Sequence, residues 1–131
     1  MDIPAAGGIV FDEAGRLLLV RRLRPPAVGS WSIPGGKCLP DEPPATACVR
    51  ELAEETGLTV AIQRFAGRVH RTAGADRLFV IDDYLCSVTG GRLLAGDDAA
   101  EVGWFSRNEL DRLPLVDGLL DTLAEWDLLP S

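Results

Sequence analysis

Cysteine is scarce in this chain: Cys38, Cys48 and Cys86 are odd in number, far apart and form no C-x-x-C pair. That argues against a disulfide framework and a structural zinc cluster, and leaves reduced, mostly buried thiols as the expectation. Long apolar runs are missing too, since no stretch approaches the ~18 residues that a membrane span needs. Met1-Asp2-Ile3-Pro4 has neither the basic flank nor the apolar stretch of an export signal, so no membrane partner and a cytoplasmic location are expected. Positive charge is in deficit: 13 Lys and Arg stand against 20 Asp and Glu, a net charge of −7. Such a field repels phosphodiester backbones and argues against nucleic acid as a partner. Repeats, low-complexity tracts and linkers are also lacking, which makes residues 1–131 a single expected domain. What is there is ordinary globular material, 47% hydrophobic and 25% charged, far from the composition of disorder.

Ile3 to Phe11 and Arg16 to Arg22 are apolar or β-branched runs around Asp12-Glu13-Ala14-Gly15, which is hairpin chemistry. Leu23 to Pro34, interrupted by Pro25, Pro26 and Gly29, reads as a loop with a short extended piece at Trp31-Ser32-Ile33. Ala45 to Thr56 is the strongest helix, opened by Pro44 at its first turn and closed by Gly57. Leu58 to Phe65, Arg68 to Thr72, Arg77 to Val88 and Glu101 to Phe105 read as strands, with Gly74-Ala75-Asp76 and Thr89-Gly90-Gly91 as turns. Ser106-Arg107-Asn108-Glu109 is a capping box opening a short helix, and Asp117 to Trp126 has the apolar spacing of another. Strands, helix, strands, helices: the order implies a mixed sandwich whose central sheet is covered on both faces.

Projected at about 100° per residue, the Ala45 to Thr56 helix places Ala45, Cys48, Val49, Leu52 and Thr56 on one side. Ala47, Glu51, Glu54 and Glu55 fall on the other. Three carboxylates at i,i+3 and i,i+4 spacing repel one another, and no lysine at i±4 relieves them. They also sit late in the helix, where the dipole disfavours anions. A solvated acidic face is one reading of such a patch. The other is a divalent cation, because hard cations take carboxylate oxygens together with substrate phosphates. A cation would also let an anionic substrate approach an acidic protein.

The stretch Gly36 to Leu58 resembles the Nudix box, G-x5-E-x7-R-E-U-x-E-E-x-G-U with U aliphatic, and every fixed position is filled. From residue usage alone, the odds of a chance match are below about 10⁻⁸ per starting point. The resemblance is to the MutT-like Nudix hydrolases, and it implies an α/β fold, an α/β/α sandwich with a central mixed sheet. It also implies hydrolysis, dependent on Mg²⁺ or Mn²⁺, of a nucleoside diphosphate linked to another moiety. The first candidate is a nucleoside or deoxynucleoside triphosphate cut to monophosphate and pyrophosphate. ADP-ribose or a nucleotide sugar, and a nucleotide-sensing domain without turnover, are the alternatives. By matching positions, Glu51, Glu54 and Glu55 would be metal ligands or the base that activates water, with the Gly35 carbonyl as a further ligand. Arg50 would orient a neighbouring glutamate, Glu42 would brace the junction of loop and helix, and Gly36 and Gly57 are fixed elements of the motif. Asp97, Asp98 and Glu101 are candidate acids outside the box.

Many relatives carry a glutamate where this chain has Leu39 and a Ser or Thr where it has Pro43, so a helix-capping side chain is missing. With proline at 43 and 44, Glu42 and Pro43 should be extended and the helix should start no earlier than Pro44. On the substrate side, Arg22, Arg24 and Arg71 are candidate phosphate clamps, and Trp31 is either a stacking platform for the base or a packing residue between loop and sheet. The partner is thus a small nucleotide, and either a monomer or a homodimer is compatible with the chain.

Overall fold

The computed structural model describes residues 2–25 and 27–131. Its elements are β1 (Asp2–Val10), β2 (Leu17–Arg22), β3 (Trp31–Ser32), β4 (Gly35–Lys37), α1 (Pro44–Thr56), β5 (Leu58–Thr72), β6 (Leu78–Gly91), β7 (Ala99–Phe105), α2 (Arg107–Leu110) and α3 (Leu119–Glu125). The strands form two sheets. One is mixed, in the order β4-β1-β6-β5, with β1 and β6 parallel; the other is antiparallel, β3-β2-β7.

Asp12 to Gly15 does form a tight turn, in which Gly15 N–H donates to the Asp12 carbonyl at 3.0 Å. The hairpin it predicts does not follow. β1 and β2 share a single bridge, Phe11 to Leu17, and then part into different sheets. The reason lies in their burial: Ala5 to Val10 and Leu17 to Val20 are all buried, and each run needs cover on both faces. Leu58 to Phe65 and Arg68 to Thr72 are one continuous strand, β5, that absorbs its irregularities as register shifts against β6. The expected Thr89-Gly90-Gly91 turn is instead the end of β6, which pairs with Leu58 and Thr59.

Two cores result. Ala6, Val10, Leu18, Cys48, Leu52, Val60 and Cys86 pack between α1 and the mixed sheet, with the thiols of Cys48 and Cys86 3.7 Å apart. Ile9, Leu17, Leu19, Trp31, Leu110, Leu119 and Leu123 fill the other side beneath α2 and α3. Helix α1 starts at Pro44 after an extended Pro43, with no side-chain cap, and stops at Gly57 with φ 76°. A Cβ at Gly57 would strike the Arg92 carbonyl. Ala47, expected on the solvent face, is fully buried. Ala47, Glu51 and Glu55 lie four residues apart and form one stripe, and β4 flanks α1 on that side. Ser106 and Glu109 close the capping box reciprocally at the start of α2.

Candidate active site

The site is built where β4 meets α1. Gly35 N–H donates to Glu55 Oε1 at 3.0 Å, tying the strand to the helix. A Cβ on Gly36 would lie 2.6 Å from the Glu51 carboxyl carbon, so only glycine leaves that carboxylate its place. The far end of α1 is held by the segment before β7: Leu94 N–H donates to the Thr56 carbonyl and Gly96 N–H to that of Glu55, at 2.8 and 2.9 Å. Those bonds satisfy helix carbonyls that would otherwise lack donors. They also deliver Asp97 and Asp98. Glu51, Glu54, Glu55, Asp97 and Asp98 together line a depression of about 270 Å³.

Arg50 organises the acids. Its Nε and Nη2 donate to both oxygens of Glu42 at 2.9 Å, Nη1 donates to Glu51 at 2.9 Å and to Glu54 at 3.1 Å, and Nη2 also reaches the Lys37 carbonyl. The Glu42 carboxylate also accepts the Leu39 N–H at 3.0 Å. The two Arg50 bonds, aided by that N–H, pull the Glu42 carboxyl down to about 2. The same bonds hold the Arg50 guanidinium above its ordinary value. Glu51 and Glu55 move the other way. Burial pushes both up, Glu51 against the pull of Arg50 and Glu55 to about 7 against the Gly35 N–H. The site therefore holds a half-buried carboxyl short of positive charge.

Other expected residues are placed as follows. Arg22, at the end of β2, lies near enough to Glu55 to lower its proton affinity. Arg24 pairs with Asp98 at 2.8 Å on the rim of the depression. Glu101 instead pairs with Arg21 at 2.7 Å. Trp31 is 7% exposed and packs edge-on against Phe105, ring centroids 4.9 Å apart, so its ring belongs to the core and is not free to stack on a base. Arg71 acts on Asp83, away from the acidic depression. Asp83 escaped the sequence reading, although two adjacent aspartates inside the apolar run of Phe79 to Cys86 were a visible signal.

The chain matches the NUDIX domain over residues 1–126. It belongs to the Nudix family. Its relatives include an ADP-ribose pyrophosphatase from Methanocaldococcus jannaschii, 36% identical over 83% of this chain and 64% of that one. A CTP pyrophosphohydrolase from Escherichia coli is 30% identical over 82% of this chain and 78% of that one. Among solved structures, a MutT NUDIX hydrolase from Burkholderia pseudomallei superposes with TM-score 0.81 at 29% identity, covering 95% and 97% of the two chains. The match spans about two-thirds of the length of the first curated relatives. Nudix hydrolases generally need a divalent metal, and hard carboxylate oxygens around one depression are the donors such an ion takes. Among the described residues no three acidic, histidine or cysteine side chains are already gathered in ligand geometry, and Arg50 draws Glu51 and Glu54 to itself. No described helix is long and apolar enough to cross a membrane.

Proposed function

We propose that this Nudix chain hydrolyses the phosphoanhydride of a nucleoside diphosphate linked to another group, acting first on a nucleoside or deoxynucleoside triphosphate to give monophosphate and pyrophosphate. One observation carries the reading: five carboxylates line a single depression while Arg50 braces two of them against Glu42. Glu51, Glu54 and Glu55 would hold Mg²⁺ or Mn²⁺, with the Gly35 carbonyl as a further oxygen. Bound there, the ion would supply a polarised phosphoryl oxygen and a more acidic water. Glu51 or Glu54, whichever is not committed to the ion, would accept the proton of the attacking water. Arg50 positions both, and Gly36 keeps Glu51 in place. Arg22 and Arg24 add cationic charge at the edge of the depression, where a polyphosphate must enter. The substrates in the names of the two relatives above share a nucleoside diphosphate unit.

The test is a product assay on a panel of nucleoside and deoxynucleoside triphosphates, ADP-ribose and nucleotide sugars, with Mg²⁺, Mn²⁺ or a chelator. Metal-dependent release of a nucleoside monophosphate is expected, and Glu54→Gln and Glu55→Gln should each lose about 10²- to 10⁴-fold in rate. No product from any compound, or full rates in both variants, would overturn the reading. Tight nucleotide binding without turnover would make this a sensing domain.

A further inference from the structure

Asp83 has no role in the chemistry above, yet it is the most conspicuous polar group outside it. It is 5% exposed, and its Oδ1 is buried without a hydrogen-bond partner. Its surroundings are equally particular. Across the mixed sheet, Gly35 of β4 pairs with Gly7 of β1, Gly7 with Asp83 of β6, and Asp83 with Gly67 of β5. Residues in register share a face, so this row is a lane with one side chain, that of Asp83. Asp83 Oδ1 occupies the place a Cβ on Gly7 would take. The lane is bordered by Ile33, whose Cδ1 lies over Gly7, and by Trp126, whose indole lies over Gly67; both are half-buried. At its other end Gly35 holds Glu55. Two inter-strand spacings, about 10 Å, separate Asp83 from that end.

We infer that Asp83 is a specificity-determining residue that accepts a hydrogen bond from the exocyclic amino group of the substrate's base. The inference rests on the hydrolase reading and adds a substrate class to it: bases bearing an exocyclic amino group, over counterparts in which hydrogen or a keto oxygen replaces it. A buried carboxylate lacking a donor is costly, and a ligand that brings N–H groups removes that cost while one that brings a carbonyl oxygen adds repulsion. Amino groups of adenine, cytosine and guanine are such donors, and an acidic side chain accepts from them directly. Burial pushes the Asp83 carboxyl up to about 7, with Arg71 opposing and Asp82 adding to the shift, so it accepts as a carboxylate above that pH, where the comparison below is made. The apolar walls a planar base would meet beside Asp83 are the Ile33 side chain over Gly7 and the Trp126 indole over Gly67.

The experiment compares kcat/KM at pH 8 for pairs that differ at one exocyclic amino position, GTP against ITP (amino replaced by hydrogen) and CTP against UTP (amino replaced by keto, with N3 protonated), for wild type, Asp83→Asn and Asp83→Leu. Wild type should favour the amino member of at least one pair by about 10- to 100-fold. Asp83→Leu should bring that ratio close to one, mainly by slowing the amino substrate, and Asp83→Asn should fall between. Calorimetric titration of the same proteins with GMP and IMP reads the preference without turnover. Equal rates on both members of both pairs in wild type, or an unchanged ratio in both variants, would overturn the inference while leaving the hydrolase reading intact. Absence of turnover on every compound would instead remove the reading beneath it. If Asp83→Leu does not fold, the wild-type ratio and Asp83→Asn decide.

Discussion

Arg50 spends its guanidinium donors on acceptors from three places: Glu42 before the helix, Glu51 and Glu54 on it, and the Lys37 carbonyl on β4. A lysine keeps the charge but has no planar fork, so Arg50→Lys cannot grip both Glu42 oxygens and reach Glu51 together. We expect that variant to fold and to lose about 10- to 100-fold in metal affinity or turnover, the usual loss when a group that orients ligands is replaced. A titration of rate against Mg²⁺ would check it, and a wild-type curve would refute the positioning role. Gly36 makes a sharper case. An alanine there puts its Cβ 2.6 Å from the Glu51 carboxyl carbon, forcing the carboxylate aside. A displacement of that order is expected to lower kcat by about 10²-fold with the melting temperature little changed.

Helix α1 shows why some elements can be read from sequence and others cannot. Its start after an extended Pro43, its end at Gly57 and the box acids along it depend on residues a few positions apart, and all are where local rules place them. The same holds for the Ser106 capping box. Gly57→Ala tests the local account: a left-handed residue with a Cβ costs about 1–2 kcal/mol, and the Arg92 carbonyl stands in the way. The melting temperature should fall by at least about 4 °C. An unchanged melt would mean that the helix end relaxes freely. What was illegible was set by distant partners. The Asp12 to Gly15 turn is correct, but nothing in it says that β1 and β2 will join different sheets. Thr89-Gly90-Gly91 has turn composition and is nevertheless strand, because β5 continues beside it. Within the site, Asp97 and Asp98 owe their places to backbone bonds between residues 94–96 and the end of α1, and Trp31 is claimed by Phe105.

The molecule as a whole carries an excess of acids, and those with shifted proton affinity fall into two groups. Glu42 is pulled down by Arg50, Asp12 sits low because its bonds to Arg16 and Ala14 outweigh its burial, and the Ser106 backbone and side chain lower Glu109. Below their unfolded values these groups lose their advantage, so stability drops as the pH falls from about 4.5 toward 2. Asp83 and Glu55 are raised by burial to about 7. Between about pH 4 and 7 the unfolded chain has released these two protons while the folded chain still holds them, so stability declines as pH rises through that window. Self-repulsion at a net charge of −7 acts in the same direction. The metal-free protein should therefore melt highest near pH 4–5, more acidic than the usual optimum of about pH 5–8. A divalent cation held by Glu55, as proposed, would displace its proton and remove that share of the loss, so Mg²⁺ should raise the melting temperature more at pH 8 than at pH 5. Asp83→Asn should flatten the decline further in either condition, because it removes the other buried acid. Thermal melts across pH with chelator or with Mg²⁺ read all three effects. A metal-free profile that climbs from pH 5 to pH 8, or an Mg²⁺ increment that does not change with pH, would show that neither buried carboxyl is held as the structure places it.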